Sequence, residues 1–137
     1  MAVPLDTLLV SLSAAIERAV APTGDDLLAG DPDLKRAFET DASPSFPLRA
    51  FATFIRRPRG DELAVTVEVQ VSGGKVLVES DIFTDAGEMV ALGPSLELVL
   101  PEDRMMAAAA FDGWLAEFAA FQSGSLAAVR AAARRLK

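Results

Sequence analysis

Apolar and polar positions alternate most sharply between Leu63 and Ile82. Val65, Val67, Val69 and Val71 are interleaved with Thr66, Glu68, Gln70 and Ser72, the period-two pattern of a strand with one buried face. Gly73-Gly74 supplies the positive φ angles of a tight hairpin turn. Val76 and Val78 then resume the alternation, which ends at Ile82. With the two glycines as the loop, Ser72 faces Lys75, Val71 faces Val76, Val69 faces Val78 and Val65 faces Ile82. Ser80 opposite Val67 is the one weak match. The same register sets Glu68 directly against Glu79 on the other face, with Asp81 two residues along. Like charges in that position are destabilising. The acidic patch Glu68, Glu79 and Asp81 is therefore read in two ways: as solvated, splayed carboxylates, or as a site for a cation or a basic partner.

The remaining periodicities frame this hairpin. Leu5, Leu8, Leu9, Leu12, Ile16 and Val20 recur at helical spacing and predict a helix over 4–20 that stops before Pro22. A punctuated connection over 22–33 follows. Asp31-Pro32 reads as an N-cap with proline in the first turn, predicting a short helix over 32–40 that turns Leu34, Ala37 and Phe38 inward. A strand over 47–56 is apolar on both faces, with Leu48, Ala50, Ala52 and Phe54 on one and Phe51 and Ile55 on the other. Beyond the hairpin, turns at 84–87 and at Gly93-Pro94 separate strands near 88–92 and 95–100. In this register Leu77, Val90 and Leu92 share the outer face with the carboxylates, so something is expected to cover it. Pro101 is expected to open a helix over 102–122. Its aromatic side carries Phe111, Trp114, Leu115, Phe118 and Phe121, and its opposite stripe the small residues Ala109, Gly113, Ala116 and Ala120. Ser125 reads as the N-cap of a last helix over 125–136.

The predicted fold is α+β: an antiparallel four- to five-stranded β-meander flanked by N-terminal and C-terminal helices. At 137 residues the chain is one domain, 1–137, long enough to bury its own core.

Composition narrows the chemistry. There is no cysteine, histidine or tyrosine. Thiolate and histidine catalysis, disulfides and Cys/His zinc sites are thereby excluded within this chain. No cofactor is called for, and no catalytic or metal residue is assigned. Asp25, Asp26, Asp31 and Asp33 lack the alternate-ligand spacing, central glycine and terminal glutamate of a calcium loop; they are assigned to caps and helix dipoles. The net charge of −7 argues against nucleic acid. The basic turn Arg56-Arg57-Pro58-Arg59-Gly60 is read as a solubilising loop whose arginines pair with Asp61 and Glu62. Arg130, Arg134, Arg135 and Lys137 cluster at the C-terminal end, leaving the rest more acidic still. No apolar run approaches the roughly 20 residues of a membrane span, and no basic segment precedes the first apolar run as a signal peptide requires. The expected setting is a bacterial cytoplasm, with no membrane.

These features lead to a non-catalytic protein-binding or adaptor module, self-associating as a homodimer or binding another protein. The candidate interface comprises Ala109, Gly113, Ala116 and Ala120 together with Leu77, Val90 and Leu92. The alternative is a small apolar-ligand-binding protein with a pocket between the sheet and helix 102–122, lined by Met105, Met106, Trp114, Phe118 and Phe121.

Overall fold

A computed structural model describes residues 1–137. The chain order is β1 (Ala2–Pro4), α1 (Leu5–Gly30), β2 (Leu34–Asp41), β3 (Leu48–Arg56), β4 (Glu62–Ser72), β5 (Lys75–Thr84), β6 (Met89–Leu92), β7 (Leu96–Val99), β8 (Met105–Ala107), α2 (Ala108–Gly124) and α3 (Leu126–Arg135). The fold is α+β. A six-stranded antiparallel sheet is built in the order β2-β3-β4-β5-β6, with β7 also paired to β5. The strand count is thus slightly higher than the sequence pattern predicts.

The central hairpin has the predicted register throughout, from Ser72–Lys75 and Val71–Val76 to Val65–Ile82, and Glu68 lies opposite Glu79. Its turn glycines have φ of 60° and 74°. The strands bury one face almost completely: Leu48, Ala50, Ala52 and Phe54 of β3, Leu63, Val65, Val67 and Val69 of β4, and Val76, Val78 and Ile82 of β5. Helices pack on this face alone. Leu5, Leu12, Ile16 and Leu27 of α1, Phe111, Trp114 and Phe118 of α2 and Val129 of α3 join it in one core. No helix is long and apolar enough to cross a membrane.

Four local expectations are corrected. First, α1 runs through Pro22 to Gly30. Proline inside a helix costs about 3 kcal/mol, but stopping there would release the packing of Leu27 and Gly24. Leu27 is buried, and a Cβ on Gly24 would lie 3.3 Å from the Phe54 ring. Second, residues 34–41 form strand β2, not a helix over 32–40. Asp31 caps the end of α1, and eight consecutive pairings with β3 outweigh the weak helical spacing of Leu34, Ala37 and Phe38. Third, Pro101 opens a turn. The Arg104 N–H donates to the Pro101 carbonyl at 2.9 Å, β8 pairs with β1, and α2 begins only at Ala108. Met105 and Met106 therefore sit on a strand. Ser125 stands at the N-cap position of α3, as the sequence predicts, but its side chain makes no capping bond. Fourth, Gly93-Pro94 bends the chain without reversing it. β6 and β7 lie end to end along β5, held at the break by Gly93 N–H to the Ser80 carbonyl at 3.0 Å and Ser80 hydroxyl to the Pro94 carbonyl at 2.8 Å.

Candidate functional site

With all three helices on one side, the other face of the sheet is left open, and cross-strand register orders its side chains into rows. One row reads Asp41, Arg49, Glu68, Glu79 from β2 to β5. The next reads Glu39, Phe51, Thr66, Asp81, Leu92. The third reads Ala37, Thr53, Ala64, Phe83, Met89. Polar side chains normally dominate the solvated face of such a sheet. Here an apolar band of Phe51, Ala64 and Phe83 crosses the middle, and Leu92 at its edge is 78 % exposed. A shallow cleft of about 240 Å³ runs along that band, with Glu39, Glu62 and Asp85 at its rim.

Electrostatics set the character of this face. Its carboxylates are Glu39, Asp41, Glu62, Glu68, Glu79, Asp81 and Glu97, against Lys35, Arg49 and Lys75. Two of the three cations are engaged: Arg49 with Asp41 at 2.7 Å and Lys75 with Glu97 at 3.2 Å. Asp81 is pushed above the usual carboxylate range, first by burial and then by Glu68 and Glu79.

At the centre lies Thr66, 2 % exposed although it sits on the open face. Its hydroxyl has no hydrogen-bond partner, and neither has Oδ1 of the neighbouring Asp81. A buried polar group left unpaired costs about 1–3 kcal/mol, so two adjacent ones are out of place on a merely solvated surface. Sequence periodicity marked Thr66 only as an outward polar residue. The two-sided apolarity of β3, Phe51 included, was the available signal for the band around it.

The candidate residues from the sequence are dispersed. Glu68, Glu79 and Asp81 share the open face, but no group of three or more carboxylates is arranged to hold a metal ion. Leu77 and Leu92 lie on this face as well, whereas Val90 packs against the core at the register shift opposite Ile82 and Phe83. Ala109, Gly113, Ala116 and Ala120 form an exposed stripe on α2; no other part of the chain fills it, and a Cβ on Gly113 would meet nothing within 4 Å. Met105, Met106, Trp114, Phe118 and Phe121 do not come together as a lining. Met105 is partly exposed, while Met106, Trp114 and Phe118 are packed into the core. Trp114 stacks on Phe118 at 5.0 Å and donates its indole N–H to the Pro94 carbonyl at 3.1 Å. The larger clefts lie elsewhere, along α1 and β2: about 380 Å³ beside Val20, Gly24 and Phe38, and about 530 Å³ beside Leu9, Val10 and Leu48.

Comparison with protein-family models, with curated proteins and with solved structures returns no match to the chain.

Proposed function

We propose that the chain is a non-catalytic protein-binding module whose docking surface is the open face of its sheet. The observation that carries this reading is the half-buried apolar band of Phe51, Ala64 and Phe83, which no helix covers, with the exposed Leu92 and Met89 at its edge, since apolar surface left open to solvent marks interaction sites. The residue types present also withhold the commonest general base and thiol nucleophile. An apolar-ligand pocket under α2 receives no such support, because Trp114 and Phe118 occupy that space themselves.

Site-specific photo-crosslinking tests the proposal. A photoreactive residue at Leu92 is expected to give discrete protein adducts in cells producing the chain. The same residue at Val10, equally exposed but on α1, is expected to give none. Absence of adducts at position 92, or an identical set at position 10, refutes the reading.

Self-association is a second reading, favoured by the exposed small-residue stripe of α2, which would let a second backbone approach closely. Most soluble oligomers are two-fold dimers. Sedimentation equilibrium at tens of micromolar should then give a dimer that Gly113→Leu dissociates, and a monomer mass for the wild type defeats it.

A further inference from the structure

We propose that the open sheet face recognises a cationic, apolar-bearing segment of a partner protein, and that it seats a lysine or arginine of that segment between Thr66 and Asp81. The proposal rests on the protein-binding reading and names the partner's chemistry.

Three observations converge on it. The face carries an excess of carboxylates, and the cations it does carry are mostly engaged by Asp41 and Glu97. A second copy docking face to face would press those carboxylates against one another, whereas a basic segment relieves them. Second, the carboxylates surround an unsatisfied centre. The Thr66 hydroxyl and Asp81 Oδ1 are both buried and both without partners, and they belong to residues directly opposite one another on β4 and β5. An ammonium or guanidinium group offers only donors, and both orphaned oxygens accept once the side chains that close them off from solvent in the free chain turn aside. Third, Phe51 lies on the other side of Thr66 in the same row and Leu92 beyond Asp81. These flanks suit the aliphatic stem of a lysine or arginine, which packs on apolar surface while its charged head reaches polar atoms. Glu68 and Glu79 in the adjoining row supply the longer-range attraction.

The test uses a fluorescently labelled peptide of alternating lysine and leucine, read by anisotropy against the full chain. Thr66→Val and Asp81→Asn are each expected to weaken binding roughly tenfold, the loss of one charge-assisted contact. Glu17→Gln, which removes one charge from α1 on the opposite side of the sheet, should change it by less than about twofold. Thr66→Val should at the same time melt no lower than the wild type, because it removes an unpaired buried hydroxyl. A merely structural role would lower both stability and binding. Wild-type affinity in both face variants, or equal weakening by Glu17→Gln, overturns the proposal, as does failure of the peptide to bind. A dimer in sedimentation equilibrium that Asp81→Asn dissociates gives the face to a second copy and also overturns it. If discrete adducts still form at position 92 in any of these cases, the protein-binding reading stands and only the cationic partner falls.

Discussion

Replacing Arg56 should open the end of the fold where α1, β3 and α3 meet. Its guanidinium donates to both oxygens of Asp31, Nη2 to Oδ2 at 2.5 Å and Nη1 to Oδ1 at 3.2 Å. It also donates to the Ala133 carbonyl, from Nη2 at 2.8 Å and from Nε at 3.3 Å. One side chain thus ties the last residue of β3 to the cap of α1 and to the final turn of α3. The two charged side chains are only 15 % and 23 % exposed, so water replaces little of what is lost. Arg56→Ala leaves Asp31 with the Asp33 N–H alone and deprives the Ala133 carbonyl of its side-chain donors. Hydrogen bonds to charged groups contribute about 1.5–3 kcal/mol. With partial solvent replacement, the expected loss is about 2–3 kcal/mol in total. At this chain length that lowers the melting temperature by roughly 6–9 °C.

Urea unfolding followed by Trp114 fluorescence measures the loss directly, because it is the one tryptophan and is buried. Arg56→Lys should recover less than half, since an ammonium does not reproduce the two-pronged contact. The pH dependence gives a second readout. The Arg56 hydrogen bond holds the Asp31 carboxyl below its ordinary value. The stabilisation is therefore complete above the unfolded-state value and is lost as pH falls through the lowered one. Arg56→Ala should flatten that acid limb. A loss smaller than about 0.5 kcal/mol, the range of an exposed pair, or an unchanged acid limb would refute the account.

Three further outcomes follow from the packing. Asp81→Asn should raise stability at neutral pH by up to about 1 kcal/mol: burial and the nearby Glu68 and Glu79 raise this carboxyl, so native stability falls as pH rises from the ordinary value through the raised one and stays lower above it. The variant should lose that decline in melts taken across the same range, and a less stable variant at neutral pH refutes the assignment. Gly93→Ala should cost about 1–3 kcal/mol in urea unfolding, because its Cβ would fall 2.3 Å from the Ser80 hydroxyl and 2.8 Å from the Phe121 ring; a wild-type midpoint would show that the edge yields freely. Gln122→Leu should stabilise by about 1–2 kcal/mol, since the amide is 2 % exposed with neither polar atom paired; destabilisation would instead point to an internal water bridging it.

Local pattern sufficed wherever local and tertiary preferences agree. The central hairpin combines β-branched alternation with a two-glycine turn, and its pairing is that expected from the sequence, residue for residue. The aromatic stripe of α2 is legible for the same reason, since Phe111, Trp114 and Phe118 recur at helical spacing and all three are buried. Pattern misled where a distant partner decides. Residues 34–41 spell a short amphipathic helix behind an aspartate-proline cap, yet β3 offers a full-length strand edge. Pro22 and Pro101 illustrate opposite outcomes: α1 tolerates the first because its packing continues beyond it, while the second ends one strand and precedes a turn rather than a helix. The acidic face was visible as Glu68 against Glu79. Its centre was not, because nothing in the alternation distinguishes Thr66 from Gln70 on the same strand.

The uneven quality of the two faces of one sheet gives that centre its meaning. On the helix side the strands contribute valine, leucine and isoleucine at close to zero exposure, and the one serine there, Ser80, finds a carbonyl partner. On the open side the same strands set Glu68 against Glu79 and leave Thr66 and Asp81 unpaired. Each of these costs stability, and each is removable by a single conservative change. A sequence whose local choices otherwise agree with its fold is expected to break its own rules chiefly at functional sites. Apart from the unpaired Gln122 amide on α2, the violations occupy two neighbouring rows on β4 and β5, beside the apolar band that no helix covers. A solubilising surface would gain nothing from burying a threonine hydroxyl beside an unpaired carboxylate oxygen. A surface that awaits a cation-bearing partner gains both affinity and selectivity from it, because the groups left unsatisfied in the free chain become paired only in the complex.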